Sequence, residues 1–296
     1  MFEAIRRAKP ARLYVAADGP RVDRVGESAQ CDEVRRIATA VDWPCTVTTL
    51  FRQHNLGCKQ AVAQAISWFF EQEEEGIILE DDVLPVHGFF AYCEELLQRY
   101  RFDERVAAIS GCNLIGDRHS PETSYFFTRQ NHVWGWASWR RAWHHYEIDM
   151  RSWPAWDRAG GLAKCTDDPC AEHYWRQVFE RIYQGKVDTW DYQWMFACWR
   201  SGGVTALPLH NMVTNLGIGP DVSATHTSKR TPKFLRDNPA RELAFALRHP
   251  VEVTRDVEAD RLIRLHVIGL THLRCLKRHL GRLLRQLVSG GLRHAT

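Results

Sequence analysis

The run Gly76-Ile77-Ile78-Leu79-Glu80-Asp81-Asp82-Val83-Leu84-Pro85 constrains this chain more than any other stretch. Aliphatic residues bounded by a glycine and a proline read as a buried parallel strand. That strand stops abruptly in three consecutive carboxylates. Open α/β sheets bind ligands at the C-terminal ends of their strands, where these acids would fall. Adjacent like charges repel, so a divalent cation held by hard oxygen ligands, itself holding a polyphosphate, is the economical companion. An acidic surface turn is the alternative reading of the same residues.

The remainder of the N-terminal half supplies the elements such a strand needs. Arg12 to Ala17 reads as a first strand ending in the turn Asp18-Gly19-Pro20. Asp18 either faces a nucleotide or simply belongs to the turn. Glu27 to Val41 has helical spacing through Val34, Ile37, Ala38 and Val41, and Cys45 to Leu50 reads as a second strand. Val62, Ile66 and Phe69 share one helical face; Phe89 to Tyr100 repeats at the same period, and Val106 to Ser110 is a further strand. The resulting β-α-β-α-β-α-β order is that of a mostly parallel sheet flanked by helices. With 296 residues there is ample chain for a full core.

Several polar groups are candidates for chemistry. Arg52, Asn55, Gly57 and Lys59 cluster where the helix around Val62 begins, and donors at a helix start suit a diphosphate, with ordinary capping as the competing reading. Ten of the twelve tryptophans fall between Trp134 and Trp199, in the segments 134–143 and 190–199 among others. Most suit a core, and clustered aromatic faces also suit sugar rings. Asp188 and Asp191 lie among them, each an acid with bulky apolar neighbours, either structurally hydrogen-bonded or used as a base. After an expected strand from Val204 to Leu209, Asn211 to Thr227 reads as a long loop containing His226. A lone histidine is structural more often than it is a ligand.

Charge and cysteine content exclude some classes. A net charge of +3 does not by itself indicate nucleic-acid binding. Nine cysteines without a CxxC pair argue against a disulfide framework and for a reducing, cytoplasmic setting. Met1 to Lys9 is not followed by an apolar stretch of the kind found in signal peptides. No segment reaches the roughly 18 apolar residues of a membrane span. Lys229 to Arg255 is polar and proline-interrupted, and reads as a linker with a short helix around Glu242 to Leu247. From Arg261 onward there are eight Arg or Lys and no acid. Leu273, Leu276, Leu280, Leu283 and Leu287 face one way there, opposite Arg274, Arg278, Arg282 and Arg285. Such a helix suits an anionic membrane surface, a partner, or its own domain.

Taken in order, these stretches resemble nucleotide-sugar glycosyltransferases of the GT-A fold, close to glycosyltransferase family 2-like bacterial proteins and more distantly similar to the N-acetylglucosaminyltransferase of the N-glycan pathway. The resemblance rests on Ala17-Asp18, the RxxNLGxK loop from Arg52 to Lys59, and Leu79-Glu80-Asp81-Asp82 with Pro85 and Phe89-Phe90. It continues through Gly135 to Trp143, Trp190 to Trp194, Asn215-Leu216-Gly217 and Thr225-His226-Thr227, covering about Arg12 to Lys229. It implies a GT-A domain over 1–230, while the linker over 231–255 and the basic amphipathic C-terminal helix over 256–296 are expected from residue pattern alone and lie outside it. It also implies a hexosyl- or N-acetylhexosaminyltransferase that uses a nucleoside-diphosphate sugar, a UDP-sugar first among them, in surface glycan or glycoconjugate synthesis.

In the roles so implied, Asp18 contacts base or ribose, while Arg52, Asn55 and Lys59 lie near the diphosphate. Asp82 coordinates Mn²⁺ or Mg²⁺, and Glu80 and Asp81 hold ribose, sugar or metal-bound water. Asp191 is the general base of an inverting transfer, and His226 is a late ligand to metal or diphosphate. The expected partners are the donor and a glycan, lipid-linked or protein acceptor, with the tail peripheral at the inner face of a membrane. A catalytically inactive sugar- or nucleotide-binding protein on the same fold is the alternative from another class. A nucleotidyltransferase would carry a glycine-rich phosphate loop, which residues 12–26 do not show.

Overall fold

Parallel pairing of two short β-branched and aliphatic segments begins the fold. Strand β1 (Arg12–Ala17) follows helix α1 (Phe2–Ala8) and pairs with β2 (Thr46–Phe51), Arg12 opposite Thr46 and Ala17 opposite Phe51. The computed structural model describes residues 1–219, 226–227 and 232–271. Helix α2 (Glu27–Ala38) makes the crossover between the two strands. Its Val34 and Ile37, expected to pack on the sheet, are instead 58% and 48% exposed. The reason is Arg35, which takes the inward position. Its guanidinium donates to the backbone oxygens of Asp18 at 3.2 Å and Arg52 at 2.6 Å and covers the Phe51 ring, so the two apolar neighbours are turned outward. Helix α3 (Gly57–Gln72) then buries Ala63, Ile66 and Phe70, and Tyr14 of β1 meets the Phe69 ring edge-on at 5.1 Å.

The main sheet begins with β3 (Glu75–Ile78). The acid turn comes next, followed by β4 (Val83–Pro85) and helix α4 (Gly88–Tyr100). Strands β5 (Val106–Ser110), β6 (Tyr125–Thr128), β7 (Trp136–Trp139) and β8 (Val204–Pro208) complete five strands in the order β3-β7-β5-β8-β6. Strands β3, β5 and β8 run one way, while β7 runs antiparallel to both its neighbours and β6 runs antiparallel to β8. The sheet is therefore mixed, and the expectation of a mostly parallel one is corrected. The cause is local. Gly135 meets the end of β5, where the amide of Gly111 donates to its oxygen at 2.7 Å, so the chain must run back down the sheet as β7.

Helix α4 covers one face with Phe89, Tyr92, Cys93, Leu96, Leu97 and Tyr100, all buried, as their spacing predicts. The opposite face holds α3, the short α5 (Arg140–Trp143) and α9 (Asp191–Arg200) around Trp136, Trp143, Trp190 and Trp194. Helices α6 (Trp153–Arg158), α7 (Gly161–Cys165) and α8 (Pro169–Tyr183) extend this layer around Trp153, Trp175, Phe179 and Trp199. The tryptophans are thus mainly core. Truncating one of those fully buried would cost about 3–5 kcal/mol. Cys170, at the start of α8, is disulfide-bonded, while seven other described cysteines are free thiols.

Residues 232–271 lie on this core. After α10 (Lys233–Arg236) there is no helix around Glu242 to Leu247. Leu243 and Leu247 are buried in the α4 cluster instead. Glu242 accepts hydrogen bonds from the amides of His87 and Gly88, both at 2.9 Å, at the exposed start of α4. Helix α11 (Val257–His266), capped by Asp256, packs Ala259, Leu262 and Ile263 on Ile115, Phe126 and Leu207. The leucine and arginine positions of the expected tail helix, from 273 onward, lie outside the described residues. Among the described residues no helix is long and apolar enough to cross a membrane.

Candidate active site

Chain reversal after β3 places Glu80, Asp81 and Asp82 in a tight turn, with the amide of Val83 donating to the Glu80 oxygen at 3.1 Å. The turn is walled by a segment more than 130 residues later. Strand β9 (Val213–Asn215) pairs antiparallel with β4, Val83 opposite Asn215, and the Leu216 amide donates to the Asp82 oxygen at 2.7 Å. Gly217 then passes so close that a Cβ there would lie 2.2 Å from Asp82 Oδ2. Only a glycine permits this approach. The expected long loop is accordingly part strand: β10 (Ile218–Gly219) pairs with β11 (His226–Thr227). His226 is placed by its backbone, and its side chain lies outside the described residues.

The electrostatics show which groups share this space. Glu80 is half-buried, and burial raises its carboxyl to about 7, with the charges of Asp82, Asp191 and Asp81 adding to the effect. Asp191, from the first turn of α9, is therefore brought to the acid turn from over 100 residues away. Asp81 is the exposed member of the trio. Cys58, at the start of α3, is open to solvent as a residue. Its sulfur is nevertheless withdrawn from water, which with Glu80, Asp188 and Asp191 pushes the thiol up to about 11. Tyr146 is raised by burial and then by Asp191 and Cys58; its hydroxyl donates to the Trp190 oxygen at 3.2 Å and its ring stacks on Trp143 at 4.2 Å. Thr189 donates its hydroxyl to Asp191 Oδ1.

The loop before α3 is arranged differently from the sequence expectation. Asp18 accepts from the amides of Gly19 at 2.9 Å, Leu56 at 2.9 Å and Gly57 at 3.1 Å. The amides offered to a diphosphate at that helix start are thus already held by a carboxylate. A Cβ on Gly57 would also meet Asp188 Oδ2 at 3.7 Å. Asn55 pins the same turn, its side chain donating to the Gly19 oxygen at 3.2 Å. Arg52 reaches Gln64 at 2.9 Å. Among the described residues the Lys59 side chain makes no hydrogen bond or ion pair.

Sequence reasoning identified the acids and the segment Asn215-Leu216-Gly217, but gave Gly217 no role and missed Cys58, Tyr146 and Thr189. The Asn-Leu-Gly tripeptide was the available signal for Gly217; for the others, proximity depends on which loops return to the turn.

Among the described residues no group of three or more His, Cys, Asp or Glu is arranged to enclose a metal ion. Glu80 and Asp82 are hard oxygen donors two residues apart in one turn. That suits Mg²⁺ and ions like it, which take one or two carboxylates and complete their shell with water and substrate phosphates. The fold thus places an acidic turn at the C-terminal end of β3 in a mixed α/β sheet, with Asp191 of α9 in its electrostatic neighbourhood. No protein-family model matches this chain, and no curated protein does.

Proposed function

We propose that this protein is a metal-dependent glycosyltransferase on a GT-A-type fold, moving a sugar from a nucleoside-diphosphate sugar to an acceptor hydroxyl with inversion, in surface glycan or glycoconjugate synthesis. The observation that carries this reading is the convergence of Glu80, Asp82 and Asp191 in one electrostatic neighbourhood from segments far apart in sequence. The parallel β1–β2 pair and the antiparallel β7 between β3 and β5 also suit that fold.

In this reading Asp82 is the principal ligand for Mn²⁺ or Mg²⁺, with Glu80 beside it and His226 a further candidate. Held there, such an ion would supply positive charge to offset that developing on a departing diphosphate. Arg52 and Lys59, just before and at the start of α3, supply the positive charge for the diphosphate. Asp191 removes the proton from the acceptor hydroxyl as that oxygen attacks the anomeric carbon. Asp18 is reassigned from nucleotide contact to organiser of the Leu56-Gly57 corner, because its carboxylate oxygens are occupied there. The neighbouring Asn55 shares that task.

Thermal-shift and calorimetric titration with UDP-sugars and Mn²⁺ test the reading. Wild type is expected to bind the donor only with metal, and Asp82→Ala to lose that dependence. Asp191→Asn is expected to bind donor normally while losing transfer by about 10²-fold or more. Unchanged metal-dependent affinity in Asp82→Ala, or normal turnover in Asp191→Asn, would refute it. Donor binding with neither transfer nor slow donor hydrolysis in wild type would mark an inactive sugar-binding protein.

A further inference from the structure

We infer that Thr189 is the positioning residue for Asp191, fixing which oxygen of that carboxylate receives the proton; the inference rests on the glycosyltransferase reading for its catalytic consequence. The Thr189 hydroxyl donates to Asp191 Oδ1. Among the described residues no donor is recorded to Oδ2, which is therefore the oxygen open to an acceptor hydroxyl. Thr189 is itself held. The side-chain amide of Gln193, fully buried, donates to the Thr189 backbone oxygen at 2.6 Å. One residue on, the Trp190 backbone oxygen accepts from Tyr146 at 3.2 Å. Both flanks of the turn into α9 are thus anchored before the side chain is considered, and a β-branched threonine has few rotamers available.

An aspartate at the first position of a helix would otherwise turn toward the free amides of its own first turn. The Thr189 contact competes with that orientation and keeps the charge facing Glu80, Cys58 and Tyr146, all of which feel it. The step served is balanced. The acceptor oxygen bonds to the anomeric carbon and its proton passes to Asp191 Oδ2. The bond from the anomeric carbon to the diphosphate oxygen breaks, and its electron pair leaves with the diphosphate.

Three variants test this: Thr189→Val, which keeps the shape and loses the donor, Thr189→Ser, which keeps the donor, and Thr189→Val combined with Asp191→Asn. Steady-state transfer should show kcat lowered about tenfold in Thr189→Val with donor KM little changed, kcat largely restored in Thr189→Ser, and the double variant no slower than Asp191→Asn alone. A second measurement needs no substrate. Alkylation of Cys58 at pH 8.5, followed by mass spectrometry, should quicken in Thr189→Val as Asp191 swings away, and stay at the wild-type rate in Thr189→Ser. Wild-type kcat together with unchanged Cys58 alkylation in Thr189→Val would overturn the inference. So would a double variant much slower than Asp191→Asn. Absence of transfer in wild type, with the alkylation difference intact, would sink the glycosyltransferase reading and leave Thr189 as the anchor of Asp191.

Discussion

Glu80 carries a charge above neutrality while half-buried beside Asp82 and Asp191, and the fold bears the cost. Its folded-state carboxyl sits near 7 against an ordinary 4.5, so the unfolded chain ionises first. Between those values the folded state binds the extra proton, and stability contributed by the neutral form is lost as pH rises toward and past 7. Glu80→Gln should therefore stabilise the metal-free protein at pH 8, by about 3 kcal/mol from a shift of this size, and by much less at pH 5. Urea unfolding at both values checks this, and an equal gain at both would contradict it. His132 has the opposite sign. Its imidazole is held down to about 4 by burial, and its Nε2 has no hydrogen-bond partner. Between 4 and 6.5 only the unfolded chain takes the proton, so stability falls as pH drops through that window. From pH 7 to pH 5 this one group should cost about 2 kcal/mol, a loss that His132→Leu should remove. Parallel stability curves for the two proteins would count against that.

Among the elements, the acid turn is closed by the Val83–Glu80 hydrogen bond and held from outside by the strand pair β4–β9 and by the close approach of Gly217. Gly217→Ala should push Asp82 aside, because the added carbon would sit 2.2 Å from its oxygen. The expected outcome is a folded protein, with Tm within a few degrees of wild type, whose Mn²⁺-dependent donor binding falls about tenfold or more. Calorimetry with donor and metal reads this directly, and retained affinity would show that the turn adapts. The same pairing explains what was legible in the sequence. Glu80-Asp81-Asp82 announced itself because three acids interrupt an apolar run, and Asp191 because it stands among tryptophans. The roles of Thr189, Cys58 and Tyr146 were not legible. They follow from the meeting of the α3 and α9 starts with the turn, and local periodicity carries no record of loop returns. Arg35 misled in another way: a single inward guanidinium outweighed the apolar spacing of Val34 and Ile37.

Across the whole molecule, most helices and strands were readable, while strands β6 and β7 were not. Trp136 to Trp139 is buried along its length but, unlike the equally buried β5 and β8, carries no β-branched residue to mark it as a strand. Its direction depended on where Gly135 meets β5, a long-range fact. Ala137→Pro should abolish folding, since proline cannot take part in the ladder of a strand flanked on both sides. Loss of near-ultraviolet dichroism would register that, and a folded variant would place β7 at an edge.

That central position also sets an order of events in time. Strand β3 lies next to β7 rather than next to β5, its successor among the parallel strands, so the gap between them stays open until some sixty further residues have been made and threaded in. Long-range pairing of this kind slows folding. During synthesis the acidic turn would emerge early yet remain without its neighbours until the tryptophan segment and then the Asn211–Gly217 wall arrived. The acid turn thus gains its β9 wall only after the chain has been made as far as Asn215.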